Sequence, residues 1–147
     1  MADPLSKRRL KLWIRMLRTT RATEAALRDH LRRAHATTLP RFDVMAALWR
    51  ARAPLSMTEL SRLLLVSNGN ATAVVDRLVA DGLVRRLPCP DDRRTVRVVL
   101  TDAGAQQFEA LAADHEAALN DLLSGFGAAE IDQMEAALKH LTAEKAP

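Results

Sequence analysis

Three groups of side chains in this 147-residue chain could do chemistry. The first is Ser67-Asn68-Gly69-Asn70-Ala71-Thr72-Ala73, followed by Arg77. A helix facing only water would carry Glu and Lys there; this one carries amides, a hydroxyl and small groups. An asparagine amide sets a donor beside an acceptor, which matches the adenine edge in the DNA major groove. Small neighbours let a helix enter that groove, and a helix N-terminus favours phosphate. The plain alternative makes Asn68 and Asn70 first-turn capping residues. The second group is Asp92-Arg93-Arg94 between two β-like segments. Two arginines at a hairpin tip can reach a narrow minor groove, with Asp92 orienting one of them through a salt bridge. A solvated loop with a local ion pair is the alternative. The third group is Cys89 with His30, His35, His115 and His140. No histidine pair has metal-ligand spacing, and His115 falls in an apolar stripe, where a packing role is expected. Cys89 lies among Arg85, Arg86 and Arg93, whose charge favours a thiolate.

The elements that must position these groups follow from periodicity and caps. A long helix is predicted from about Leu5 to His35, with Leu10, Trp13, Leu17, Leu27 and Leu31 in its stripe and an interruption at Thr20 and Glu24. A second starts near Pro40, carries Phe42, Met45 and Trp49, and stops before Pro54. Ser56 and Glu59 form a capping box opening a short helix with Leu60, Leu63 and Leu64 inward. Ser67 is a second N-cap, and Gly82 a left-handed stop. On the intervening helix Ala71, Val74, Val75 and Leu78 share the core side; Gly69, Thr72, Ala73, Asp76 and Arg77 point away, with Asn68 and Asn70 on the flanks. Strands are predicted at Leu83–Leu87 and Thr95–Leu100, joined by a charged loop from Pro88 to Arg94. Thr101 caps a long helix with Phe108, Leu111, His115, Leu119 and Leu122 in stripe. Ser124 to Gly127 breaks it, and a last helix carries Ile131, Met134, Leu138 and Leu141.

The fold expected is mainly α with a small β-hairpin: a winged helix-turn-helix lobe over residues 39–104, within a single domain spanning 1–147. The terminal helices, 5–35 with 105–144, keep apolar stripes that so small a core cannot cover, which points to a homodimer. Net charge is +4, but its distribution is uneven: the excess is +7 over residues 1–35, +4 over 36–100 and −7 over 101–147. A polyanion partner suits the first two thirds. One cysteine excludes an internal disulfide. No stretch is apolar enough for a membrane span, and no signal peptide is legible, so a cytoplasmic location without membrane association is expected.

An enzyme is disfavoured, because no nucleophile has a nearby base, no metal spacing occurs and no glycine-rich phosphate loop is present. A protein-interaction module would carry acidic or bulky groups on the exposed face of 68–77, where Asp76 is the single acid. A non-specific architectural binder would lean on lysines rather than amides.

The segment Asp92-Arg93-Arg94-Thr95-Val96-Arg97-Val98-Val99-Leu100-Thr101-Asp102-Ala103-Gly104 resembles the wing signature of the MarR (multiple antibiotic resistance regulator) family of bacterial transcription factors. Leu39-Pro40-Arg41-Phe42-Asp43-Val44 and the Asp81-Gly82-Leu83-Val84 corner are similar as well, and the likeness covers nearly the whole chain. It implies that Arg94 is the wing arginine and Asp92 its buttress, with Arg93 beside them. It implies a recognition helix over 67–80, with Asn68, Asn70, Thr72 and Ala73 nearest the bases and Arg77 nearer phosphate; Ser67 begins this DNA-binding helix, and the missing side chain at Gly69 lets its end approach DNA closely. Ser56, Thr58 and Arg62 would touch the backbone. The family binds pseudo-palindromic double-stranded operators as homodimers, with recognition helices about one DNA turn apart, roughly 34–36 Å. Repression is its commoner habit.

Many members release DNA when a small effector binds between the dimer helices and the lobe. The Ser-Asn-Gly-Asn opening is similar to a subgroup tied to breakdown of hydroxycinnamates and related aromatic acids. An aromatic acid or aromatic acyl-CoA thioester is therefore the effector expected, received by Trp13, Arg15, Arg18, Arg21 and Arg28. Redox control through Cys89 is the alternative. No cofactor and no metal are expected.

Overall fold

A computed structural model describes residues 3–143 of the chain. Along these the elements run α1 (Pro4–His35), α2 (Leu39–Ala51), β1 (Leu55–Ser56), α3 (Met57–Leu64), α4 (Asn68–Ala80), β2 (Val84–Cys89), β3 (Asp92–Leu100), α5 (Asp102–Leu122) and α6 (Ala128–Ala143).

Short polar caps decide where the helices begin. Thr38 accepts from the Arg41 N–H at 3.3 Å ahead of Pro40. Ser56 and Glu59 make the reciprocal box: the Glu59 N–H donates to Ser56 Oγ at 3.1 Å, and the Ser56 N–H donates to Glu59 Oε2 at 2.8 Å. Ser67 accepts from the Asn70 N–H at 3.2 Å. Thr101 accepts from the Gly104 N–H at 3.0 Å while its hydroxyl donates to the Gly82 carbonyl at 2.7 Å. Each satisfies amides that a helix start leaves open. Gly82, at φ 74°, makes the left-handed turn from α4 into β2.

The core lies where α2, α3, α4 and α5 meet the sheet. Met45, Leu60, Val75, Leu78, Val84 and Val98 are sealed from solvent, with Leu31 entering from the end of α1. Phe42 packs against Phe108 in a tilted pair at 5.6 Å and stacks on His115 at 4.3 Å. His115 is thus a packing residue, held by ring contact.

Three details depart from the sequence expectations. Leu63 points outward, 61% exposed, because α3 ends within a turn of it, at a left-handed Leu65. The sheet has three strands in the order β1-β3-β2, since Leu55 and Ser56 pair with Val98 and Arg97 before α3 begins. The hairpin is longer and its turn tighter than expected: β2 runs through Pro88 to Cys89, which lies opposite Asp92, with a bulge between Pro88 and Cys89. Proline is tolerated there because β2 is an edge strand.

The outer helices are far less buried. Leu27 and Leu31 at the C-terminal end of α1 are covered, whereas Leu10 and Trp13 are 57% and 56% exposed. On α6, Ile131, Met134, Leu138 and Leu141 are all exposed. No helix among the described residues is long and apolar enough to cross a membrane.

Candidate nucleic-acid interface

Helices α3 and α4 are joined by Leu65-Val66-Ser67. The Val66 N–H returns to the Ser61 carbonyl at 3.1 Å, which closes the turn. Ser61 is buried; its hydroxyl shares its proton between the Thr58 carbonyl, 3.0 Å away, and Oδ1 of Asn68. Asn68 therefore uses its side-chain oxygen to fasten α4 to α3, a structural role the sequence did not distinguish from base contact. The Thr72 hydroxyl donates to the Asn68 carbonyl at 2.8 Å and is half-buried. Ser56 and Ser67 likewise use their hydroxyls in caps, while Thr58 and Arg62 stay exposed on α3.

The open face of α4 then consists of Gly69, Asn70, Ala73, Asp76 and Arg77. Among the described residues, the side chains of Asn70 and Arg77 have no hydrogen-bond or ion-pair partner. A Cβ placed on Gly69 would meet nothing within 4 Å. No internal contact requires glycine at this position.

Asp76, the acid on that face, is paired by Arg86 from β2. This pair was missed in the sequence. Its signal was the Gly82 corner, which turns β2 back alongside α4. Arg41 clamps the far end of α4 through Asp81 at 2.5 Å. Glu59 is held below the usual carboxylate range, first by the Ser56 N–H and then by its hydroxyl, with Arg97 and Arg62 adding their charge.

Arg93 and Arg94 begin β3 at the wing tip, both exposed and, among the described residues, without a carboxylate partner. Asp92 does not orient a guanidinium. Its Oδ1 accepts the Arg94 backbone N–H at 2.9 Å, and its Oδ2 accepts the Thr95 hydroxyl at 3.1 Å. It fixes the turn itself, because the tight turn brings these donors within reach of its short side chain. Cys89 is half-buried at the bulge, and the sequence holds no second thiol to resolve an oxidised one. A redox role is not favoured.

Trp13, Arg15, Arg18, Arg21 and Arg28 are exposed along α1; of these, Arg15 lines a shallow groove with Arg8, Lys11 and Leu12. The groove nearest the recognition helix has other walls: Pro40 and Val44 of α2, Leu64 and Val66, and Asn70, Ala73 and Arg77 of α4. Asp43 stands at its edge, its carboxyl raised first by burial and then by Glu24.

The histidines also depart from expectation. His30 Nε2 lies 2.7 Å, and His35 Nε2 2.6 Å, from the same oxygen of Asp114. Their hydrogen bonds, His35 foremost, hold the Asp114 carboxyl below its ordinary value. Sequence spacing missed this because the third member lies on α5, 79 residues from His35.

A short helix, a tight turn, an amide-bearing second helix and a three-stranded wing define a winged helix-turn-helix protein. The sequence model of the MarR family matches residues 37–96. The chain is 34% identical to YkoM, an uncharacterized HTH-type transcriptional regulator of Bacillus subtilis, over 80% of this chain and 74% of that protein. It is 35% identical to the HTH-type transcriptional regulator PecS of Dickeya dadantii, over 68% of this chain and 64% of PecS. A mutant MarR of E. coli crystallised with operator DNA superimposes with a TM-score of 0.77 at 29% identity, covering 95% of this chain and 99% of that one. The chain belongs to the MarR family of transcriptional regulators.

Proposed function

We propose that the chain is a sequence-specific DNA-binding regulator, acting as a homodimer on a pseudo-palindromic operator and predominantly as a repressor. One observation carries this: Asn70, Ala73 and Arg77 form an open face on α4 whose acid is neutralised by Arg86, while Arg93 and Arg94 stand exposed at the hairpin tip with no carboxylate partner among the described residues. Base edges would be met by Gly69, Asn70 and Ala73, with Ser67, Asn68 and Thr72 shaping the helix start. Phosphates would be met by Thr58, Arg62 and Arg77 and by the wing arginines; Ser56 and Asp92 hold the backbone that presents them. The crystal complex of a MarR protein of similar fold with operator DNA supports the DNA-binding reading. Exposed apolar residues on α1 and α6 support the dimer, which would bring residues 5–35 and 105–144 of two chains together.

The test is fluorescence anisotropy on DNA taken from around the protein's own gene, over a salt series. Wild-type chain should bind one fragment far above random DNA. Arg94→Ala should weaken binding and reduce the salt slope by about 2, about one for the arginine lost from each protomer, with dimerisation intact. An unchanged affinity and slope overturns the wing assignment.

We further propose an aromatic acid or aromatic acyl-CoA effector. Arg15, Arg18, Arg21 and Arg28 support it, because each is exposed on α1 and, among the described residues, carries no ion pair. Titrating the operator complex with such compounds should release DNA; no change across the set overturns the effector class.

A further inference from the structure

We propose that His30, His35 and Asp114 form a binding site for a divalent transition-metal cation of the zinc class, bridging α1 and α5 at the root of the DNA-binding lobe. The geometry is specific. Two imidazole nitrogens from the last turns of α1 converge on one carboxylate oxygen of α5, at 2.7 and 2.6 Å. All three ligand atoms lie within 4.8 Å of one another. The rings sit edge to face, 6.4 Å between centroids, so their nitrogens meet without the rings clashing.

Two neutral imidazoles with one carboxylate suit zinc, cobalt or nickel rather than magnesium or calcium, which favour all-oxygen shells. Around zinc, ligands at about 2.0–2.2 Å in tetrahedral array stand roughly 3.3 Å apart. The 2.7 and 2.6 Å contacts to Asp114 therefore need to open by about 0.6–0.7 Å, within reach of small side-chain rotations. On binding, the cation takes the place of the hydrogen between each Nε2 and Asp114; a neutral imidazole then carries its proton on Nδ1, and a protonated one releases the extra proton to solvent. The side chains are 26–41% exposed, so a hydrated ion can enter without unfolding. Arg33 borders the same groove but is held by Asp29 at 2.6 Å, which offsets its repulsion of a cation. Asp121 lines the groove from α5 and adds negative potential. Three ligands leave a fourth position for water or another donor.

The position gives binding a consequence. His35 is the last residue of α1; Ala36, in left-handed conformation, and the buried Thr37 follow before Thr38 caps α2. A cation here would pin the end of α1 to α5 where the chain enters the lobe.

The probe is zinc chloride, titrated calorimetrically into untagged, chelator-treated full-length chain, with cobalt(II) read by its visible absorption. Wild-type chain should bind one zinc per chain and gain thermal stability from it. His30→Gln, which retains an amide to bond Asp114, should weaken zinc by at least about a hundredfold, since loss of even an outer partner costs 10–100-fold. Asp114→Asn should do the same and abolish the cobalt absorption. Cys89→Ser should bind as wild type. No zinc uptake by wild type, unchanged binding in His30→Gln, or loss of binding in Cys89→Ser each overturns the site. Should Asp114→Asn fail to fold by circular dichroism, His30→Gln and His35→Gln decide. None of these readouts requires DNA, so they stand apart from the operator test.

Discussion

The hydroxyl of Ser61, buried in α3, is hydrogen-bonded to the side-chain oxygen of Asn68, the first residue of α4. This polar contact ties the start of α4 to α3. Ser61→Ala should cost about 1 kcal/mol of stability and weaken DNA binding in parallel. Asn70→Ala, whose side chain has no hydrogen-bond partner among the described residues, should leave the melting temperature unchanged and alter only DNA binding. Thermal denaturation alongside anisotropy separates the two; equal melting losses would refute the division of labour.

Arg86 and Asp76 make a second pair with an electrostatic purpose. Arg86→Ala removes a cation and leaves Asp76 facing phosphate, so affinity should fall about fivefold to tenfold at low salt. Adding Asp76→Asn should recover most of the loss. If the double variant binds no better than the single one, Asp76 does not face DNA.

Gly104 is small because α5 starts against the strand corner. A Cβ there would lie 1.9 Å from the Leu83 carbonyl oxygen. Gly104→Ala should destabilise the chain by about 1–3 kcal/mol through forced displacement of that corner. Gly69→Ala, with open space around it, should not destabilise at all and should reduce DNA affinity. Urea denaturation of both variants checks the contrast.

The capping box predicts a pH dependence. Glu59 has its carboxyl lowered in the folded chain, so it contributes stability above its unfolded value of about 4.3. That contribution is lost as pH falls through the lower folded value. Glu59→Gln should melt below wild type at pH 7, and the gap should narrow as pH falls below the unfolded value of about 4.3. A gap independent of pH would mean that the carboxylate charge is irrelevant to the cap.

Local signals in the sequence were sufficient for the helix starts at Ser56, Ser67 and Thr101 and for the Gly82 turn, because each depends on residues three or four apart. The wing arginines were also legible, since a charged pair between two alternating segments has few other placements. What escaped was set by distant partners. β1 is two residues long and exists only by pairing with Val98 and Arg97. Asp92 bonds its own turn because the strands close more tightly than their composition suggests. The oxygen of Asn68 is taken by Ser61 only once α3 and α4 cross. Leu63 obeys helical spacing, yet α3 stops before the core could cover it.

Strand β3 has a mechanical consequence. One end carries Arg93 and Arg94, and the other runs into Thr101, whose hydroxyl bonds Gly82 and whose oxygen opens α5. Midway, Arg97 and Val98 hold Ser56 and Leu55, the entrance to α3. Nine residues of strand make a strut about 30 Å long, braced on the supporting helix as on a fulcrum. A tilt imposed at the first turn of α5 would therefore act as leverage at the wing tip.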